Sequence, residues 1–385
     1  MNSILVINSG SSSLKFGLFI NKDGDEHAIA RGNADAIGAD NGTLEIHDEQ
    51  GNCVFKEAQP LDSHKTALSQ IAKQLVALKY EMPVAVGHRI VHGGPKLVTH
   101  QRITDDVLSS LEHAVHFAPL HIPPAVELIR YTEKVLPQLP QFACFDTAFH
   151  QTMPEAAYRF AIPEQYFAEG VRRYGFHGLS YASIVHDLGR NLPPKVVIAH
   201  LGNGASLAAI AEGKSVDTSM GLTPTGGIPM GSRTGDLDPG VPLFLMRMHK
   251  LNADAIETLL NQNSGLKALG GTNDMRVLQK GAGEGDHNAA LAIEIFCRSI
   301  AKTIGSYAAV LGGLDLLIFS GGIGEHSATV RANVCERLQF LGMTLDAERN
   351  SASSSVISAD GSRVSVRVMS TEEEKQIARY CRALL

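Results

Sequence analysis

The chain has 385 residues, a formal net charge of −6, 44% hydrophobic and 19% charged residues, a length that favours two domains over one core. An acidic balance with no block of Lys or Arg argues against nucleic-acid and membrane partners, and no apolar run reaches the roughly 18 residues of a membrane span. With no basic leader before the apolar start at Ile4, the expectation is a cytoplasmic protein acting on small molecules.

The first segment, ILVINSGSSSLKFGLFINKDG, reads as two strands joined by a Gly/Ser turn, with Asp23-Gly24 closing the second. Ser63 can cap a helix whose apolar face is Leu68, Ile71, Leu75 and Val76. Thr104 can cap another, with Val107, Leu108, Leu111 and Val115. Apolar strands ending abruptly in polar residues start at Val84 (VAVGHRIVHGG), Phe142 (FACFDTAFH) and Leu314 (LDLLIFSGGIGEH), and ligands in α/β sheets bind beyond such ends. From residue 197 the opening design returns: VVIAH, the turn LGNGAS, LAAIA, then Glu212-Gly213. This loose repeat suggests two related α/β domains facing one another. Near the C-terminus, Ser353 to Ser355 and Asp360-Gly361 form a surface turn before the strand RVSVRVM, and an amphipathic helix runs from Glu372. The five cysteines, Cys53, Cys144, Cys297, Cys335 and Cys381, have no CxxC spacing and read as packed, reduced thiols.

Several motifs offer chemistry, each with a plainer alternative. GGIGEH at 321 to 326 follows a buried strand and precedes a helix starting near Ser327, where backbone N–H groups can hold phosphate; tight strand-to-helix packing is the alternative. No GxxxxGK[ST] occurs, which excludes a P-loop, and a dinucleotide fingerprint would be incomplete. HLGNGAS places Asn203 between glycines, close enough to bond a phosphate oxygen, and NSGSSSLKF offers Asn8, three serines and Lys15 at a hairpin tip; both are also ordinary turns. GHRIVHGG and GSRTGD each set one arginine, Arg89 and Arg233, among glycines, which suits forked recognition of a carboxylate or phosphate. His88 and His92 lack the HExxH context of a metal pair. His177 lies in a glycine-flanked turn that would equally suit a buried, satisfied histidine. Asp146 follows the strand FACF, where a carboxylate can hold Mg2+, orient a nucleophile or cap the next helix. The carboxylates of STEEE suit a helix N-terminus with or without a metal.

Taken in order, NSGSSSLKF, GHRIVHGG, FAPLH, FDTAFHQTMP, RRYGFHG, HLGNGAS, DTSMGLTPTGG, MGSRTGDLDPG, FSGGIGEH and STEEE resemble the acetokinase (acetate/propionate kinase) family from end to end. The resemblance implies an α/β fold of duplicated actin, hexokinase and Hsp70-like (ribonuclease H-like) domains around an interdomain cleft. The N-terminal domain would span 1–150 joined by the helix 372–385, and the nucleotide-binding domain 151–371. It implies reversible Mg2+-dependent transfer of the ATP γ-phosphoryl group to acetate, giving acetyl phosphate and ADP, with Mn2+ a possible substitute and a homodimer as the assembly. By motif, Asn8 and Glu373 would place Mg2+, while Arg89 and Arg233 would hold the acyl substrate and transferring phosphoryl group. Asp146 would be the catalytic carboxylate and His177 would stabilise the phosphoryl group. Lys15 and the run His200, Leu201, Gly202, Asn203 and Gly204 would hold ATP phosphates. Asp274, Met275, Arg276 and the run Gly322, Ile323, Gly324, Glu325 and His326 would line the adenosine side. Val91, Leu120, Phe176 and Pro224 match the pocket for the acetate methyl.

The pattern departs from the family at Ile122, His326, Glu372 and the stretch LKALGGTNDMR, which leaves nucleotide preference open. A propionate or butyrate kinase of the same family is the nearest rival, because one methylene shifts discrimination by only about 1–3 kcal/mol. A sugar kinase with Asp146 as a true base, and a non-catalytic ATP-operated clamp, stand further off.

Overall fold

The computed structural model describes residues 2–10 and 12–385; Met1 and Ser11, the latter one of the serines in the NSGSSSLKF turn, lie outside the described residues. Backbone proximity divides the chain into two units, one of residues 1–148, 178–183 and 372–385, the other of residues 149–177 and 184–371.

The first unit is built on eight strands: β1 (Ile4–Ser9), β2 (Leu14–Lys22), β3 (Asp25–Asp35), β4 (Thr43–Asp48), β5 (Cys53–Ala58), β6 (Ala85–Ile90), β7 (Gln101–Arg102) and β8 (Gln141–Phe145). They lie in the order β5-β4-β3-β2-β1-β6-β8-β7. β1 and β2 are the expected hairpin, with Ile4 opposite Phe19 and Ser9 opposite Leu14. β6 joins β1 in parallel, and β8 joins β6 likewise. Parallel central strands are covered on both faces, which is why β1 and β8 are apolar without alternation. Leu5 and Ile7 pack with Leu68, Ile71 and Leu75 of the helix His64–Ala77. Ile4 and Val6 pack on the other side with Ile377, Ala378 and Cys381 of the helix Glu373–Leu384. Each of these Leu, Ile and Val side chains contributes about 1.5–3 kcal/mol on full burial.

Ser63 and Thr104 cap their helices through side-chain bonds from the N–H groups of Thr66 and Val107. Two expected apolar positions differ. Val76 is 64% exposed because it lies off the stripe of Leu68, Ile71 and Leu75. Val115 falls beyond the helix Asp105–His113, in a 3-10 turn, because the chain caps at Ala114.

The second unit holds five strands, β9 (Lys195–Leu201), β10 (Ala205–Ala211), β11 (Lys214–Thr218), β12 (Leu316–Ser320) and β13 (Ser365–Val368), in the order β11-β10-β9-β12-β13. β9 and β10 form the second expected hairpin, with β12 running parallel to β9. The helix His287–Val310 buries Ile293, Phe296, Cys297, Ile300 and Ile304, the three-and-four spacing of one apolar stripe. The mixed α/β architecture expected from the sequence is present in both units.

Four of the five cysteines are buried as expected, but Cys53 is exposed because β5 is the outermost strand of its sheet.

Candidate active site

β6 and β8 end side by side, so Arg89, paired with Cys144 in register, stands next to Asp146, the first residue beyond Phe145. Arg89 donates from Nε to both Asp146 oxygens at 3.0 and 3.2 Å and from Nη2 to Oδ2 at 2.7 Å. Its Nη1 donates to Asn8 Oδ1 at 3.1 Å and lies 3.7 Å from Glu373 Oε2. The Asn8 amide donates to Glu373 at 3.2 Å and to Glu374 at 2.7 Å, and Ser180 donates its hydroxyl to Glu373. Four residues nominated from sequence, Asn8, Arg89, Asp146 and Glu373, thus form one cluster in the first unit.

Gly87 of GHRIVHGG also has a packing role. A Cβ at Gly87 would fall 2.6 Å from Cys381 Sγ and 2.7 Å from Ile377 Cγ2, so Gly87 lets the helix Glu373–Leu384 lie against β6. That close approach brings Glu373 to Arg89.

Burial disfavours the Arg89 charge, but Asp146 and Glu373 outweigh it and hold the guanidinium pKa above its usual value. For Asp146, burial dominates and raises the carboxyl pKa; Arg89 pulls it back and Glu373 pushes it further up. Three charge-assisted bonds from Arg89 favour the ionised carboxylate. The oxygens of Asn8, Asp146 and Glu373 are of the hard type that Mg2+ takes, and here all three are turned toward the Arg89 guanidinium. Val91 is half-buried just beyond β6, and Leu120 is 52% exposed.

In the second unit, His177 adopts a left-handed φ of 56° ahead of the helix Gly178–Leu188, a conformation uncommon for a residue with a side chain. Its Nδ1 lies 2.8 Å from Ser206 Oγ, and its ring centre 4.7 Å from that of His200. Arg233 donates from Nη1 to Pro224 O at 3.1 Å. Between them is Gly204: a Cβ there would lie 3.5 Å from His177 Nε2 and 3.6 Å from Arg233 Nη1. A cation and an imidazole nitrogen therefore converge on one side-chain-sized space. Asn203 is pinned beside it, its carbonyl accepting from Gly231 N at 3.0 Å and its Oδ1 from Asn273 Nδ2 at 3.2 Å. Phe176 is fully buried and its carbonyl accepts from His150, while Pro224 is half-buried.

A cavity of about 310 Å³ in the same unit is lined by Gly202, Asn203, Asp274, Met275, Arg276, Gly322, Ile323 and His326. Asp274 caps the helix Met275–Gly283 and holds Arg276 through Oδ2···Nη2 at 2.6 Å; that pairing takes its carboxyl down to about 2. Other nominated residues stand outside this cavity's lining. Leu201 is fully buried in β9, His200 bonds Ser320 at 3.3 Å, and Lys15 lines a different cavity in the first unit. Gly324 packs against Phe319, and the Gly324 and Glu325 carbonyls both accept from Arg331 at 2.8 Å. GGIGEH is itself a short helix, Gly321–His326, rather than a loop before one, because Gly321 makes the turn off β12 at φ 74° and the next helix starts only after Ser327.

Sequence reasoning missed several supports. Ser180 orients Glu373 and carries no motif signal of its own. His150 lies within FDTAFHQTMP; its Nε2 donates to Phe176 O at 3.0 Å while Nδ1 meets Ser215 Oγ at 2.8 Å, so it fixes the approach to His177. Gly265 has φ 61°, and a Cβ there would stand 2.1 Å from Met230 O and 2.6 Å from Arg233 O, so it shapes the Arg233 turn. Arg331 is fully buried with its guanidinium shared among carbonyl, amide and hydroxyl oxygens, and the motifs give no hint of it.

The mixed α/β fold and the arginine and histidine that converge at Gly204 fit a phosphotransferase. Residues 3–379 match the family described as the acetokinase family, and the chain belongs to that family. It is 44% identical over 391 residues to an acetate kinase of Coprothermobacter proteolyticus, covering 98% of this chain and 97% of that one. Among solved structures it is similar to a propionate kinase from Francisella tularensis (TM-score 0.94, 38% identity, 100% of both chains). It is also similar to the acetate kinase of Porphyromonas gingivalis (TM-score 0.88, 38% identity, 100% of both chains).

Proposed function

We propose that this chain is a Mg2+-dependent acetate kinase, transferring the γ-phosphoryl group of ATP reversibly and directly onto the acetate carboxylate. The observation that carries this reading beyond the family is the convergence of His177 Nε2 and Arg233 Nη1 on the space at Gly204. A carboxylic acid is already ionised at neutral pH, so the barrier is repulsion between two anions rather than loss of a proton. Arg233 and His177 meet the phosphoryl oxygens, and Arg89 meets the acyl carboxylate. Asp146 accordingly acts by holding Arg89 and a metal-ligand position, not as a general base. Asn8 and Glu373 would hold Mg2+, which when bound supplies charge neutralisation to the phosphates. The adenosine end of ATP would occupy the 310 Å³ cavity.

Val91, Leu120, Phe176 and Pro224 are the proposed acyl pocket, and acetate rather than propionate is the proposed substrate. We place the protein in the cytoplasm, where ATP and acetate are found. The proposed assembly is a homodimer, supported by the helix Gly240–His249, whose Val241, Leu243, Phe244, Met246 and Met248 are all exposed.

The test is ADP release from purified protein with ATP, Mg2+ and acetate, propionate, butyrate or glycerol. Acetate should give the highest kcat/KM, with propionate lower by a margin worth about 1–3 kcal/mol. Turnover with glycerol and none with the three acids would sink the reading.

A further inference from the structure

The outermost strands of the first sheet carry a cluster of residues to which no part in phosphoryl transfer has been assigned. Glu45 and His47 share one face of β4, and Cys53 stands opposite His47 on β5. A register shift between Ile46 and His47 re-aims the histidine at this point. One ligand atom from each of Glu45, His47 and Cys53 lies within 4.8 Å of the other two.

The hydrogen-bonding pattern there contains a conflict. His47 Nδ1 is 3.2 Å from Gly51 O, a carbonyl that can only accept, so Nδ1 carries a proton. His47 Nε2 is also 2.8 Å from Glu45 Oε1, another acceptor. With the proton on Nδ1, a neutral ring turns the Nε2 lone pair toward the Glu45 oxygen, and a metal ion placed between them would accept from both. Lys56 holds the other Glu45 oxygen at 2.8 Å and so leaves Oε1 directed at His47. Cys53 is exposed, its Sγ only weakly held by Phe55 O at 3.4 Å, so the thiol can turn inward. Beside the cluster a cavity of about 520 Å³, lined by Glu45, His47 and Gly51 among others, leaves room for a water ligand.

We propose that Glu45, His47 and Cys53 bind one thiophilic divalent cation of the Zn2+ type, with water as a fourth ligand. One imidazole, one carboxylate and one sulfur is a borderline-soft set that suits Zn2+ and that Mg2+ does not select. Binding forms the metal–sulfur bond as the thiol proton leaves to solvent, with no change of oxidation state. The ion would tie the edge strand β5 to β4 at a point where β5 has no outer neighbour.

The experiment uses chelator-treated full-length protein, titrated with Co2+ and separately dialysed against Zn2+, beside His47→Gln and Cys53→Ser variants. The wild type should show a thiolate-to-cobalt charge-transfer band and take up one more equivalent of Zn2+ than Cys53→Ser. His47→Gln should bind about tenfold more weakly or worse. Zn2+ should raise the melting temperature of the wild type and not of Cys53→Ser, while both variants keep Mg2+-supported turnover, since neither residue belongs to the transfer machinery. No charge-transfer band, or equal Zn2+ uptake by wild type and both variants, would overturn the site.

Discussion

Arg89 and Asp146 are joined by three hydrogen bonds between the ends of adjacent parallel strands, and Asp146 is 1% exposed. Removing either partner strands a charge in a site that cannot solvate it. Arg89→Ala should cost about 3 kcal/mol or more of stability, measured by denaturant unfolding, and Arg89→Lys should keep the charge but lose the fork. Asp146→Asn should lower kcat by about 100-fold or more, with the larger share in kcat rather than in KM for ATP. If Asp146→Asn kept wild-type kcat, Asp146 would have no part in positioning Arg89 or the metal.

Gly204→Ala isolates the anion-binding space from folding. The new methyl would make only ordinary contacts, at 3.5 Å from His177 and 3.6 Å from Arg233, so stability should change by less than about 1 kcal/mol. The methyl nevertheless occupies the position where phosphoryl oxygens would meet both donors, and kcat/KM should fall at least about tenfold. Unchanged kinetics in a folded variant would move the phosphoryl site elsewhere.

Ser180→Ala should act through Glu373, whose carboxylate Ser180 holds. The concentration of Mg2+ giving half-maximal rate should rise, while kcat at saturating Mg2+ changes less. A variant with an unaltered Mg2+ dependence would argue against Glu373 as a metal ligand.

Acid should destabilise the fold through two buried histidines. Burial lowers His88 to about 4 against a partial offset from its bond to Gln141. Burial likewise lowers His150 to about 4, with Phe176 O offsetting and Arg173 adding to the effect. Both are neutral when folded and charge on unfolding, so the unfolded state binds more protons between pH 6.5 and about 4. Stability is therefore full above about pH 6.5 and falls as the pH drops toward 4, by up to about 3 kcal/mol per histidine. Urea unfolding at pH 7 and pH 5 checks this; equal free energies at the two pH values would contradict it.

What could be read from sequence was local. The two hairpins, β1–β2 and β9–β10, and the caps at Ser63 and Thr104 depend on neighbouring residues alone, and they stand where turn chemistry and apolar spacing put them. Arg89, Asp146 and Glu373 were nameable through motifs, but their contact spans hundreds of positions and rests on Gly87 admitting a helix from the far end of the chain. The helical form of GGIGEH was hidden because glycine disfavours a helix interior; buried Arg331, which holds the Gly324 and Glu325 carbonyls, supports it from outside the motif. Ser180 and Gly265 were illegible for a similar reason: each works on a residue distant in sequence.

The most direct test of carboxylate phosphorylation is hydroxylamine trapping of acyl phosphate with purified protein, ATP, Mg2+ and acetate, beside Arg89→Ala and Arg233→Ala. Acetohydroxamate forming in proportion to ADP with the wild type, and falling by about 100-fold or more in each variant, is the result predicted here. ADP release without hydroxamate, or hydroxamate undiminished in either variant, would contradict it.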